Sequence, residues 1–444
     1  MNFWPSTCQQ YLVPLKYTCR MNPEVLAEST DPDFEMEYID IGNVSLEHGI
    51  GQLQAFRFYG APSRARKIVR KGDTLISTVR TYLKAIAYIE EDHTNWIAST
   101  GFAILRPDVG IDPRFLYRVA QASPFVEAVV ASSTGVSYPA INPSTLGSIE
   151  IPLPDLVTQK AIADFLDRET ARIDQLIEKK ERQVSLLKEK ETALVTAAVT
   201  KGLNRKAGMT ETNVGWLGSV PSHWTVCTLG LRYSIKLGKM LDQARQTGQH
   251  LRPYLRVYDV QWGTINVNDL PQMDFTPGDR ARFRLLPGDL LVNEGGSYVG
   301  RSAIWEGQIE ECYYQKALHR LRPHDATRDS SRFFIHVMSA ATRLGVFIAG
   351  GNQTTIDHLT AEAFGKYLFA FPPIDEQLAI TAHLDDRQNE IRKATLSIEQ
   401  SISRLREFRS ALITSAVTGQ IDVASWSKRG ETDRSLDALQ ESYA

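Results

Sequence analysis

The sequence predicts an α+β fold: two globular mixed α/β heads separated by two long antiparallel coiled-coil helices, with an internal pseudo-twofold repeat. Three observations predict it. One long amphipathic segment occurs twice, its apolar residues keep a seven-residue period, and islands of identity at a near-constant offset continue into the segment preceding each copy.

The duplicated segment is the clearest element. Residues 154–203 contain Pro154, Gln159-Lys160-Ala161-Ile162, Leu166-Asp167, Ile173, Leu187 and the run Ala193 to Thr200. Residues 372–421 contain Pro372, Gln377-Leu378-Ala379-Ile380, Leu384-Asp385, Ile391, Leu405 and the run Ala411 to Thr418, every pair 218 positions apart (377 − 159, 418 − 200). In the second copy Leu384, Ile391, Ile398, Leu405 and Leu412 recur every seven residues. In the first, Leu166, Ile173, Leu187 and Leu194 keep the same frame, with Lys180 in the third slot. Heptads with Glu, Lys and Arg in the remaining positions predict a coiled-coil seam through these nine apolar residues, and Lys180 would help fix its register. A helix of about 45 residues rises roughly 68 Å, long for a compact domain, so the two most simply pack on each other. Antiparallel pairing would put a head at each end.

The heads repeat more faintly, at an offset of 216 (288 − 72). Pro5-Ser6 matches Pro221-Ser222, Leu15-Lys16-Tyr17 matches Leu231-Arg232-Tyr233, and Tyr38 matches Tyr254. Gly72-Asp73 and Leu75 match Gly288-Asp289 and Leu291; Leu105-Arg106-Pro107 matches Leu321-Arg322-Pro323. By Arg114-Phe115 against Arg332-Phe333 the offset is 218, so two residues are inserted between. Period-2, β-branched runs predict strands over residues 37–41, 74–79, 85–89 and 289–292, with Gly72-Asp73 and Gly288-Asp289 as the turns before them. Short helices are expected over 114–122 and 332–341. Residues 202–215 read as a polar linker, and the polar tail from Ala424 is expected to fray. The segments are therefore a first head (1–153), a central helix (154–203), a second head with its linker (204–371), a distal helix (372–422) and a tail (423–444).

Hydrophobic content of 43% and charged content of 23% are ordinary for globular chains, and 444 residues suffice for two or more domains. No run approaches a membrane span, and the N-terminus lacks a signal-peptide layout. Cys8, Cys19, Cys227 and Cys312 show neither C-x-x-C nor zinc spacing, which fits a reduced, cytoplasmic chain. His319 and His324 are too far apart for a one-turn helical pair and read as surface residues.

Net charge is −2, so the total does not point to nucleic acid; the distribution does. Arg57, Arg64, Arg66, Lys67, Arg70, Lys71, Arg80 and Lys84 face a single acid, Asp73, within residues 57–84. The second head has a counterpart in Arg280, Arg282 and Arg284, followed by Arg301 and Lys316, with Arg245, Arg252 and Arg256 upstream. Any one such cluster is more often a solvated charged face; corresponding clusters in both heads, among glycines and aromatics, favour a DNA surface. Polar loops at residues 132–137 and 350–354 offer further hydrogen-bonding groups.

With these features assembled, the chain resembles, over nearly its whole length, the DNA-specificity subunits of type I restriction–modification enzymes. The matching motifs are the G-D-x-L strand openings (Gly72 to Leu75, Gly288 to Leu291) and Ile151-Pro152-Leu153-Pro154 leading to Gln159 and the long helix. Phe371-Pro372-Pro373-Ile374 leads likewise to Gln377, and Trp216-Leu217-Gly218, Pro221 and Trp224 resemble the family's W-L-G-x-x-P-x-x-W opening. The helix ends Thr196-Ala197-Ala198-Val199 and Thr414-Ser415-Ala416-Val417 also look like the family's. The first head departs from the pattern, having Trp4-Pro5 and Cys8 where the second has Pro221 and Trp224.

The resemblance implies two target-recognition domains, each reading half of an asymmetric, interrupted double-stranded DNA site. It implies a helix pair that sets the unread spacer and docks two methyltransferase subunits, and restriction/translocase subunits joining that core. It also implies no cofactor in this chain, S-adenosylmethionine, ATP and Mg belonging to the partner subunits. The residues agree that the chain is not itself an enzyme. Asn142-Pro143-Ser144 lacks the second proline and aromatic of a methyltransferase loop, and Gly295 to Gly300 has no dinucleotide-binding spacing. No phosphate-binding G-x-x-x-x-G-K-[S/T] occurs. Pro154-Asp155 with Glu178-Lys179-Lys180 makes only a forced nuclease pattern on a charged coiled-coil face. A DNA-independent coiled-coil scaffold explains the helices but not two basic heads. A specificity subunit serving methylation alone would look the same.

Overall fold

A computed structural model describes residues 3–240, 248–347 and 359–441. Packing groups the chain differently from its linear segments. One compact unit comprises residues 1–182 with 397–444, the other residues 183–396. The long helices, Leu156–Lys201 and Ile374–Val417, are each shared between the units.

In the first unit an antiparallel sheet runs in the order Cys19–Met21, Phe102–Pro107, Thr74–Ser77, Ile86–Tyr88. A second sheet runs Gln54–Arg57, Glu35–Ile39, Trp96–Ser99, Ala65–Ile68, parallel only at its centre, where Tyr38 faces Ile97. The Thr74–Ser77 strand is buried on both faces, which explains its unbroken apolar and β-branched run. Helices Pro113–Gln121 and Ser123–Ala131 cover the first sheet and pack on the long helices through Phe115, Leu116, Phe125, Ile173, Leu405 and Ile413. Asp112 caps the first of them, accepting from the Arg114 and Phe115 amides.

The second unit repeats the first sheet strand for strand: Tyr233–Leu237, Leu318–Pro323, Leu290–Asn293, Ser302–Ile304. Its second sheet keeps the parallel pair, Tyr254 facing Tyr313, with Gln272–Asp274 alongside. Helix Ser331–Arg343 buries Phe333, Phe334 and Val337 against Leu384, Val195 and Val199.

Within each unit the long helices run antiparallel. In the first, Arg409 forks onto Asp174 at 2.8 and 3.2 Å and Arg406 reaches Glu181 at 3.0 Å. In the second, Gln388 donates to Glu191 at 2.9 Å. The expected seam is buried at Leu166, Ile173, Leu384, Leu405 and Leu412, but Leu187, Leu194, Ile391 and Ile398 are only half-buried. Burial is complete where the head helices add a third packing layer, and partial where two helices cover only one face of each other.

Four sequence expectations change. Among the described residues the tail does not fray: helices Val423–Arg429 and Glu431–Glu441 fold back, Leu436 is buried in the first unit's core, and Arg172 pairs with Asp433. The linker contains a short strand, Met209–Glu211, which pairs with Ser219–Pro221 just beyond it and is too short and polar to show a period. His319 is fully buried inside the Leu318–Pro323 strand and bonds to the Leu359 carbonyl oxygen, because it occupies an interior position of that central strand; His324 is exposed. The basic clusters 64–68 and 280–284 correspond in sequence but not in structure: the first forms the Ala65–Ile68 strand, the second the Pro277–Phe283 helix, nucleated by Pro277 and a Thr276–Asp279 capping box. The four cysteines are free thiols, three of them buried. No described helix is long and apolar enough to cross a membrane.

Candidate nucleic-acid interface

The structure sorts the predicted basic residues by their partners. Several are engaged within the heads. Arg57 pairs with Asp33 (3.4 Å) and Glu35 (3.7 Å), and Arg70 with Glu24 (2.9 Å). Arg252 pairs with Glu311 (2.8 Å), and Arg256 forks onto buried Asp259 at 2.9 Å through both Nε and Nη2 while stacking on Tyr258. Lys67 points inward to donate to the Phe102 carbonyl oxygen, and burial lowers its pKa to about 8. Arg280 donates to the Phe275 carbonyl oxygen and Arg284 to that of Glu310. Each of these charges is already partly answered, which weakens its pull on a phosphate. Arg245 and the polar loop 350–354 lie outside the described residues.

The others present charge to solvent. Arg64, Lys71, Arg80, Lys84, Arg282 and Lys316 are exposed with no carboxylate at ion-pair distance among the described residues. Arg66 lies over the Phe58 ring at 4.9 Å, Arg282 over Phe283 at 5.0 Å and Arg301 over Tyr298 at 4.4 Å, while Arg301 also donates to Gln261. Stacking on a ring holds a guanidinium plane without cancelling its charge.

One loop stands apart. The Thr74–Ser77 strand leads into a single turn, Thr81–Leu83, flanked by Arg80 (φ 51°) and Lys84 (φ 52°), both left-handed. Holding an L-residue there costs roughly 1–2 kcal/mol. The turn sits on the loop at 132–139: the Arg80 amide donates to the Pro139 carbonyl oxygen at 2.7 Å, and the Thr81 and Ser133 hydroxyls are 2.8 Å apart. Arg80 lies over the Tyr138 ring at 4.7 Å. Tyr82, Leu83, Val136 and Tyr138 around it are exposed. The second head has the same turn at Gly296–Tyr298, with Gly296 at φ 69° and Gly300 at φ 78° in the left-handed positions. These glycines stand 216 positions after Arg80 and Lys84, and Tyr298 stands 216 after Tyr82.

Sequence reasoning noted aromatics among the basic clusters but did not single out the exposed rings, Tyr59, Tyr82, Tyr138, Tyr258 and Trp262. A usable signal existed, since each lies within a few residues of a cluster arginine or of the polar loop.

Comparison with known proteins bears on the fold and on the sequence resemblance. The family model for the Type I restriction modification DNA specificity domain matches residues 37–186. The chain is 22% identical over 330 residues to the Type I restriction enzyme EcoKI specificity subunit of Escherichia coli (strain K12), covering 73% of this chain and 68% of that one. It is 23% identical over 336 residues to the StySPI specificity subunit of Salmonella potsdam, covering 72% and 68%. A chain solved to explain complex assembly and conformational transition of the type I R-M system superposes with a TM-score of 0.69 at 21% identity, over 92% of this chain and 98% of that one. The HsdS subunit from Thermoanaerobacter tengcongensis superposes with a TM-score of 0.50 at 21% identity, over 92% and 97%. At such identity the superpositions speak for the fold. Residues 37–186 match the Type I restriction modification DNA specificity domain, and over about nine-tenths of its length the chain shares the fold of type I restriction–modification specificity (HsdS) subunits, to which it is similar in sequence.

Proposed function

We propose that the two heads are target-recognition domains, each reading one half of a bipartite, asymmetric double-stranded DNA site. In this reading the helix pair sets the spacer and docks two methyltransferase subunits, to which restriction/translocase subunits add. The observation that carries the reading is a shared scaffold with unlike surfaces: strands in register at an offset of 216, yet a strand at Ala65–Ile68 against a helix at Pro277–Phe283, and Arg80 against Gly296. Exposed Lys and Arg bind phosphates by releasing counterions, and Arg or Asn side chains distinguish base pairs in the major groove. Rods hold a separation that a flexible linker would let wander. The chain itself is non-catalytic, with S-adenosylmethionine, ATP and Mg acting in partner subunits.

The test is co-expression with the partner methyltransferase in a methylation-free host, followed by methylome sequencing. An insertion of four residues after Val199 would disturb the second head's core, where Val199 is buried. Insertions after the exposed Leu186 and Leu396 avoid this. Four residues lengthen each helix by about 6 Å. The expected methylated motif keeps both half-sites and gains about two base pairs of spacer, at 3.4 Å per base pair. An unaltered spacer contradicts the ruler, and a complex that shifts no DNA fragment in a gel returns the chain to a scaffold role.

A further inference from the structure

We propose that Arg80 is a specificity-determining residue of the first head, reading a guanine through its guanidinium fork, with Lys84 on a neighbouring phosphate. The inference rests on the reading of the heads as DNA-contacting lobes. It starts from a contrast within the chain. The turn demands two left-handed residues, and the second head meets that demand with Gly296 and Gly300, which take positive φ without strain. The first head places Arg80 and Lys84 at the equivalent positions, with φ of 51° and 52°. Two long cationic side chains where glycine serves the fold better indicate that the side chains themselves are used.

The surroundings specify the use. Neither residue has a carboxylate at ion-pair distance among the described residues, unlike Arg57 or Arg70 in the same cluster. The Arg80 guanidinium lies over the exposed Tyr138 ring at 4.7 Å, and its backbone is anchored at both ends, by its amide to Pro139 and its carbonyl oxygen to Leu83. A guanidinium plane so held presents two parallel N–H donors, the geometry that guanine O6 and N7 accept in the major groove. Lys84 offers a point charge without planar geometry, which suits a phosphate. At the position equivalent to Arg80 the second head has no side chain, so its half-site must be read otherwise.

The experiment compares methylomes of a methylation-free host expressing the chain and its methyltransferase partner, as wild type, Arg80→Gly, Arg80→Lys and Lys84→Gly. Arg80→Gly relieves backbone strain and should fold as well as wild type by thermal melting. Both Arg80 variants are expected to lose discrimination at one G·C pair of one half-site by about 5- to 150-fold, the range of a bidentate contact. The other half-site stays intact. Lys84→Gly is expected to keep the motif and lower the salt-dependence slope of DNA binding by about one. A motif equally sharp at every position in both Arg80 variants overturns the proposal, as does loss of all methylation with a lowered melting temperature, which makes Arg80 structural. A wild-type complex that methylates no two-part motif overturns the underlying reading together with it.

Discussion

Asp73 accepts both arms of the Arg106 guanidinium, from Nε and Nη2 at 2.8 Å each, and Asp289 holds Arg322 in the same fork at 2.6 and 2.7 Å. Each carboxylate is fully buried and also accepts an amide from three residues earlier, Arg70 in one head and Leu286 in the other, at 2.8 Å. The Gly-Asp pair before the strand and the Leu-Arg-Pro at the end of its neighbour are thus two halves of one device. The aspartate closes the turn, and the arginine ties it to the adjacent antiparallel strand. Asp73, acting chiefly through its hydrogen bonds, raises the Arg106 pKa, and Asp289 does the same for Arg322.

Asp73→Asn keeps the size of the side chain but removes the buried one of the two charges that answer Arg106, the other being Glu24. Breaking a buried pair by losing one partner costs about 3 kcal/mol. Urea unfolding is expected to show that loss, with Asp289→Asn giving a similar one. A variant within about 0.5 kcal/mol of wild type, the range of neutral surface changes, would show that the fork adds nothing.

Gln159 and Gln377 join each head to its long helix. The Gln159 carbonyl accepts the Asp112 amide at 2.8 Å, and its Nε2 donates to the Pro154 carbonyl oxygen at 2.7 Å. Gln377 repeats both contacts with Ser330 (2.9 Å) and Pro372 (2.9 Å). Replacing either with Leu strands buried backbone groups at about 1–3 kcal/mol each, so both variants should unfold at lower urea concentration. A Leu variant as stable as wild type would mean that water replaces the amide.

Burial lowers the His319 pKa to about 4, below the 6.5 of an exposed histidine. Between those values the unfolded chain binds the proton more readily than the folded one. The stability tied to neutral His319 is therefore complete above pH 6.5 and is lost as pH falls toward 4, by up to about 3 kcal/mol. Melting temperatures measured from pH 7 to pH 4 should fall more steeply for wild type than for His319→Gln, which cannot titrate. Parallel curves would place the acid sensitivity elsewhere.

Much of the fold was legible in the residues. The strand expected at 74–79 is Thr74–Ser77, the helix expected at 332–341 is Ser331–Arg343, and the long helices match within a few residues. The tail was misread because its apolar residues, Trp426 and Leu436, are too few to make a stripe and fold only against a core built elsewhere. The basic runs were legible in the residues, but not which of their cations are paired. Arg70 and Arg80 look alike in a basic run; one is answered by Glu24, 46 positions away, and the other stacks on Tyr138.

By itself the sequence determined the duplication, the two rods and the class of the heads, because periodicity, caps and repeated motifs are local properties of the chain. Only the tertiary structure decided which cations remain available. Charge is neutralised by neighbours in space, and those neighbours, like Asp33 beside Arg57 or Glu311 beside Arg252, are brought close by sheet register that no local pattern encodes.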